Sequence, residues 1–164
     1  MPAPMISLVG TRESGRRDML LALVGELSSR GLRVSAVIGA DDLDGIDQPG
    51  KDSHRHRDAG AGEVMVTSAK RWALIHGGDD AVGGNDALAR MSPADLIIAE
   101  DANAPAIEVR RAGDGRRPLR RPGAPIIAVV SDEPSDNPDV PSFHGGDVPA
   151  IADFVAGHFG LTLS

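Results

Sequence analysis

The first forty residues of this chain contain a unit that leaves little choice of fold. A short apolar run, "MISLV" at 5–9, stops at Gly10, a helical stretch covers about 16–29, and a second apolar run, "LRVSAVIG", covers 32–39. Leu20, Leu23, Val24 and Leu27 stand at i, i+3, i+4 and i+7, which is one face of a helix, and Gly31 is placed to end it. A strand, a helix and a strand in that order predict a parallel strand pair.

The rest of the chain keeps the same alternation. Residues 40–50 read as loop and "KDSHRHRDAGAG" (51–62) as a short polar helix ended by glycines. Strands are expected at 63–68 and 70–77, then a helix at 85–91 with Asn85 as N-cap. "DLIIAE" (95–100) is apolar until its final carboxylate, which suits a buried central strand. Two more strands are expected at 106–111 and 125–132. A last helix is expected at 148–159, with Asp147 before it and Val148, Ile151, Val155 and Phe159 on one side. These elements predict one α/β domain over residues 1–164, three-layered, around a largely parallel, mixed sheet. In such sheets ligands bind beyond the carboxyl ends of the strands.

Composition narrows the chemistry. With aromatics at 2%, the core must come from Val, Ile, Leu and Ala, and the absence of cysteine excludes disulfides, thiolate metal sites and cysteine catalysis. No run of about 18 apolar residues and no basic apolar leader occurs, so a cytoplasmic protein without membrane contact is expected. A net charge of −7 argues against nucleic-acid binding. The charge is uneven, however: Arg110, Arg111, Arg116, Arg117, Arg120 and Arg121 crowd one stretch, which reads either as a basic loop over an anion or as a solvated loop.

The segment "GTRESGRR" (10–17) has the outline of a phosphate-binding loop, G-x-x-x-x-G-K-[ST]. The glycines and the helix start present backbone N–H groups to phosphate, and this needs no particular side chain. Gly10, Ser14 and Gly15 keep that cradle. The lysine and hydroxyl positions are Arg16 and Arg17: the first keeps a charge as a wide planar fork, and the second cannot ligate Mg²⁺. Glu100 ends its strand as either a Mg²⁺- or water-orienting carboxylate or an arginine partner. His54 and His56, two apart, read as parts of a solvated helix rather than metal ligands.

A longer stretch is more specific. "DQPGKDSHRHRDAGAGEVMVTSAKRWALIH" (47–76) resembles the signature of the MobB family, the molybdopterin-guanine dinucleotide biosynthesis protein B family: Pro-Gly-Lys-Asp-Ser, a helix with arginines, Ala-Gly-Ala, then a strand after Arg-Trp-Ala-Leu. "DLIIAE", "PAIEVRR", "PIIAVVSD" and "DVPAIADFV" follow in family order. The resemblance implies a P-loop NTPase-like fold, a homodimer, and GTP bound with Mg²⁺ and weakly hydrolysed. It also implies service to the guanylyltransferase MobA, which attaches GMP to the molybdenum cofactor, so molybdopterin or its guanine dinucleotide is an expected partner. By position it assigns Gly10, Ser14, Gly15, Arg16 and Arg17 to the phosphate loop, Lys51, Asp52, Ser53 and Arg55 to the signature block, and Glu100 to the Walker-B-like acid. Three departures gather at one end of the predicted sheet. The loop has Arg16 and Arg17, "GADD" (39–42) stands where the family has Lys-His, and Asp101, Ala102 and Asn103 follow Glu100 where the family has Gly-Phe-Lys. Two functions stay open: a GTP-binding accessory factor with slow or lost hydrolysis, and a nucleotide-free paralogue that docks a guanylyltransferase or a molybdoenzyme maturation partner.

Overall fold

Each expected apolar run that falls within the described residues forms a strand. A computed structural model of the protein describes residues 3–39, 52–70, 72–76, 91–112, 124–134 and 138–164. In chain order the elements are β1 (Met5–Val9), a 3₁₀ turn (Arg12–Ser14), α1 (Arg16–Ser29), β2 (Val34–Gly39), α2 (Asp52–Asp58), β3 (Glu63–Thr67), β4 (Trp72–His76), β5 (Leu96–Glu100), β6 (Ala106–Val109), β7 (Ile126–Val130), β8 (Ser142–Phe143) and α3 (Val148–Phe159). The strands join in one sheet in the order β4-β3-β2-β5-β1-β6-β7-β8. Every pairing is parallel except β3 with β4, which is antiparallel and puts β4 at the sheet edge.

The sheet is buried on both faces, as a parallel sheet requires. On one face Ile6 and Leu8 of β1, Leu96 and Ile98 of β5, and Val64 and Val66 of β3 pack with Leu20, Leu23, Val24 and Leu27 of α1 and with Ile151 and Val155 of α3. α1 touches both α2 and α3, so these helices form one layer. The alternate residues, Val9, Met65, Ala99 and Val129, are buried too, on the opposite side of the pleat. The described helices thus supply one layer against the sheet, two of the three expected layers.

The element ends follow local chemistry. Gly31 takes a left-handed conformation (φ +87°) just past α1, where a side chain would be strained. Asp147 caps α3 by accepting a hydrogen bond from the Ala150 amide at 3.3 Å. The expected helix at 51–62 is shorter, ending at Asp58 before the positive-φ Gly60 (+109°). β8 has only two residues, too few for any periodicity in the sequence. The helix expected at 85–91 lies, apart from Met91, outside the described residues, as do Lys51, Asp41, Asp42 and the arginines at 116–121.

Register sets the position of the site. Leu8 of β1 lies level with Glu100 of β5 and with Ile107 of β6. Gly10, Gly39 and Glu100 therefore gather at the same carboxyl-terminal edge of three adjacent parallel strands, beneath the start of α1.

Candidate functional site at the carboxyl edge of the sheet

The loop between β1 and α1 is held tightly. A Cβ on Gly10 would strike the Ser14 side chain and come within 2.5 Å of the Val109 carbonyl oxygen, so only glycine fits between β1 and β6. The Ser14 amide donates to the Thr11 carbonyl at 3.2 Å and its hydroxyl donates to the same oxygen at 2.8 Å. Ser14 is 8% exposed, so its hydroxyl closes the loop on itself. Gly15, at φ +82°, turns the chain into α1. The amides of a first helical turn have no carbonyl one turn earlier, and the helix dipole adds positive character there. A helix start of this kind is suited to an anion.

The two arginines that follow do not face an open cradle. Arg16 Nη1 donates to the Gly10 carbonyl at 2.6 Å and pairs with Asp101 Oδ2 at 2.7 Å. Arg17 spans three elements: Nε donates to Glu100 Oε1 at 3.0 Å, Nη1 to Asp52 Oδ2 at 3.2 Å, and Nη2 to the Gly39 carbonyl at 3.0 Å. Glu100 uses its second oxygen to accept from the Gly39 amide at 3.0 Å, and its side chain is 3% exposed. Arg55 lies 3.7 Å from Asp52 and 3.8 Å from Asp18. Around the loop, three guanidinium groups meet four carboxylates.

This network joins the departures seen in the sequence. Asp101 has φ +50°, and among the described residues it is the one non-glycine in the left-handed region. Aspartate tolerates this conformation better than most side chains, and here its carboxylate reaches Arg16. The two loop arginines and the aspartate after Glu100 are therefore one set of compensating charges. Glu100 pairs with Arg17 at 3.0 Å and lies 3.8 Å from Arg16.

Two clefts flank Gly15, and of the other assigned residues Asp52 and Arg55 line the first. A cleft of about 240 Å³ is lined by Gly15, Arg17, Asp18, Asp52, Arg55 and His56, among others. Ser53, one residue after Asp52, is on the buried face of α2 instead. On the other side, a cleft of about 300 Å³ is bordered by Ser14, Gly15, Arg110, Ser131, Asp132 and their neighbours. Arg110 pairs there with the buried Glu108 at 2.8 Å, while Arg111 is exposed.

His56 corrects the expectation of a solvated helix. It is 3% exposed, its Nδ1 has no hydrogen-bond partner, and burial pushes its pKa down to about 4. Asp52 opposes that shift, while the charges of Arg55 and Arg17 add to it. The signal that could have found it is spacing: Ser53 and His56 are three apart and share the inward face of α2. His54 pairs with Asp58 at 3.4 Å. Among the described residues no group of three or more His, Cys, Asp or Glu side chains is arranged to hold a metal, and no helix is long and apolar enough to cross a membrane.

Comparison with known proteins agrees with this architecture. Residues 5–132 match the family described as molybdopterin guanine dinucleotide synthesis protein B. The chain is 34% identical over 161 residues to the molybdopterin-guanine dinucleotide biosynthesis adapter protein of Escherichia coli K12, covering 93% of this chain and 91% of that one. It is 28% identical to the protein of the same name from Haemophilus influenzae, over 93% and 87% of the two chains. A crystal structure of molybdopterin-guanine biosynthesis protein B superposes with a TM-score of 0.53 at 26% identity, covering 95% of this chain and 99% of the other. A MobB homologue from Bacillus stearothermophilus shares the fold, at a TM-score of 0.53, 20% identity and coverage of 95% and 97%. This chain belongs to the molybdopterin guanine dinucleotide synthesis protein B family.

Proposed function

We propose that this protein is an adapter in molybdopterin guanine dinucleotide biosynthesis, a cytoplasmic homodimer that serves a MobA-like guanylyltransferase. In this reading it holds GTP in the backbone cradle of residues 10–17 and has lost hydrolysis. The adapter role is supported by the relatives' names and the near-full-length match. The observation that carries the nucleotide part is the retained loop: Gly10 packed against Val109, Ser14 closing the turn, and Gly15 at φ +82° opening α1. Backbone amides at a helix start bind phosphate without help from a lysine. Loss of turnover follows from the parts that phosphoryl transfer needs, since position 17 offers no hydroxyl for Mg²⁺ and Glu100 is engaged by Arg17.

A second reading is favoured by one observation. The loop's own carboxylates match its arginines, so little positive charge remains to attract a triphosphate. On that reading the chain docks its partner without nucleotide, through the signature block around residues 49–61.

Calorimetric titration with GTP, GDP and ATP separates the two, with Gly15→Asp as control. Nothing lies within 4 Å of a Cβ at position 15, and aspartate tolerates the left-handed region better than most side chains, so the variant is expected to fold with some strain at φ +82° while placing a carboxylate in the cradle. GTP binding that Gly15→Asp abolishes supports the first reading. No binding, with co-purification of a guanylyltransferase intact, supports the second.

A further inference from the structure

A phosphate loop implies a divalent cation, held by the hydroxyl that follows the loop's lysine and supported by an acid on a neighbouring strand. The residues here do not fit such an ion. The hydroxyl position is Arg17, and its three guanidinium nitrogens each donate to a different oxygen. These are Glu100 Oε1 at 3.0 Å, Asp52 Oδ2 at 3.2 Å and the Gly39 carbonyl at 3.0 Å. Two carboxylates and a carbonyl are an all-oxygen set of the kind that hard divalent cations take. The set is already satisfied by a group that stays charged at any physiological pH. Glu100 cannot turn away to water, because its side chain is 3% exposed and its other oxygen accepts from the Gly39 amide at 3.0 Å.

We propose that the Arg17 guanidinium is the fixed internal cation of this domain, standing between Glu100, Asp52 and Gly39 in place of a divalent metal, so that the loop operates without Mg²⁺. A covalently attached cation does not exchange with solvent, and it cannot bind or polarise water as a metal does. It ties the first turn of α1 to the ends of β2 and β5 and to the start of α2. It also accounts for the retention of Glu100 and Asp52 beside a loop that has no metal ligand at position 17. This holds whether or not the loop takes up nucleotide.

The test uses metal alone, so its failure is separate from any failure of the nucleotide reading. Mn²⁺ binding to the full chain is followed by electron paramagnetic resonance for the native protein, Arg17→Thr and Arg17→Thr/Glu100→Gln. The native protein is expected to bind no Mn²⁺ up to about millimolar concentration, the weak end of protein oxygen-ligand sites. Arg17→Thr is expected to gain a saturable site at least about tenfold tighter than any in the native protein, competed by Mg²⁺ and lost in the double variant. Should Arg17→Thr fail to fold, Arg17→Gln removes the charge, keeps the Cβ–Cδ stem and takes its place. Saturable Mn²⁺ binding by the native chain that Glu100→Gln abolishes overturns the proposal. So does a folded Arg17 variant with no gain in affinity.

Discussion

Glu100 is charged and almost fully buried, and it is tolerated because Arg17 and the Gly39 amide each donate to one of its oxygens. Glu100→Gln keeps the shape but puts an amide against a guanidinium. We expect it to cost about 1–3 kcal/mol, the range for a charge-assisted bond left unmade, read as a lower denaturant midpoint with unchanged slope. His56 gives the residue scale a pH dependence. Its pKa in the folded protein is about 4 against an ordinary 6.5, so the unfolded chain takes up a proton that the folded chain refuses. Its contribution is therefore fully present above pH 6.5 and lost as pH falls from there toward 4. His56→Leu removes that proton and suits the buried face. Relative to native, we expect the variant to gain on the order of 2 kcal/mol between neutral pH and about pH 5, measured by urea unfolding at each pH. A difference that does not change with pH contradicts the buried, neutral imidazole.

Among the elements, the loop is the one whose backbone tolerates least. Gly10→Ala sets a methyl against the Val109 carbonyl, which cannot move without disturbing the β6–β7 pairing. The cost expected is about 1–3 kcal/mol, as for other overpacked sites, and thermal unfolding measures it. Asp147→Ala removes the α3 cap bond and is expected to cost about 1 kcal/mol by the same measurement. The elements themselves were legible because their signals are local. The period of Leu20, Leu23, Val24 and Leu27 and the apolar runs of β1, β5 and β7 need no knowledge of distant residues. β8 was illegible because two residues carry no period. His56 was misread because its environment is set by α1, Arg17 and Asp52 rather than by its neighbours in sequence.

At the scale of the molecule, parallel strand order brings residues 10–17, 39, 52 and 100–101 to one sheet edge. The sequence showed three separate departures from the family pattern at those places. The fold shows that two of them meet, Arg16 with Asp101, while Arg17 is held by Glu100, Asp52 and the Gly39 carbonyl; residues 40–42 lie outside the described residues. Which charges compensate depends on register and crossover, and these are long-range properties that no local spacing encodes. On the function proposed here, this loop keeps a phosphate cradle and carries its own cation. The most direct measurement is the affinity of the native protein for GTP in excess Mg²⁺ and in chelator. We expect GTP to bind at least as tightly without Mg²⁺ as with it. Affinity that rises about tenfold or more on adding Mg²⁺, a gain of about 1.4 kcal/mol, would contradict it.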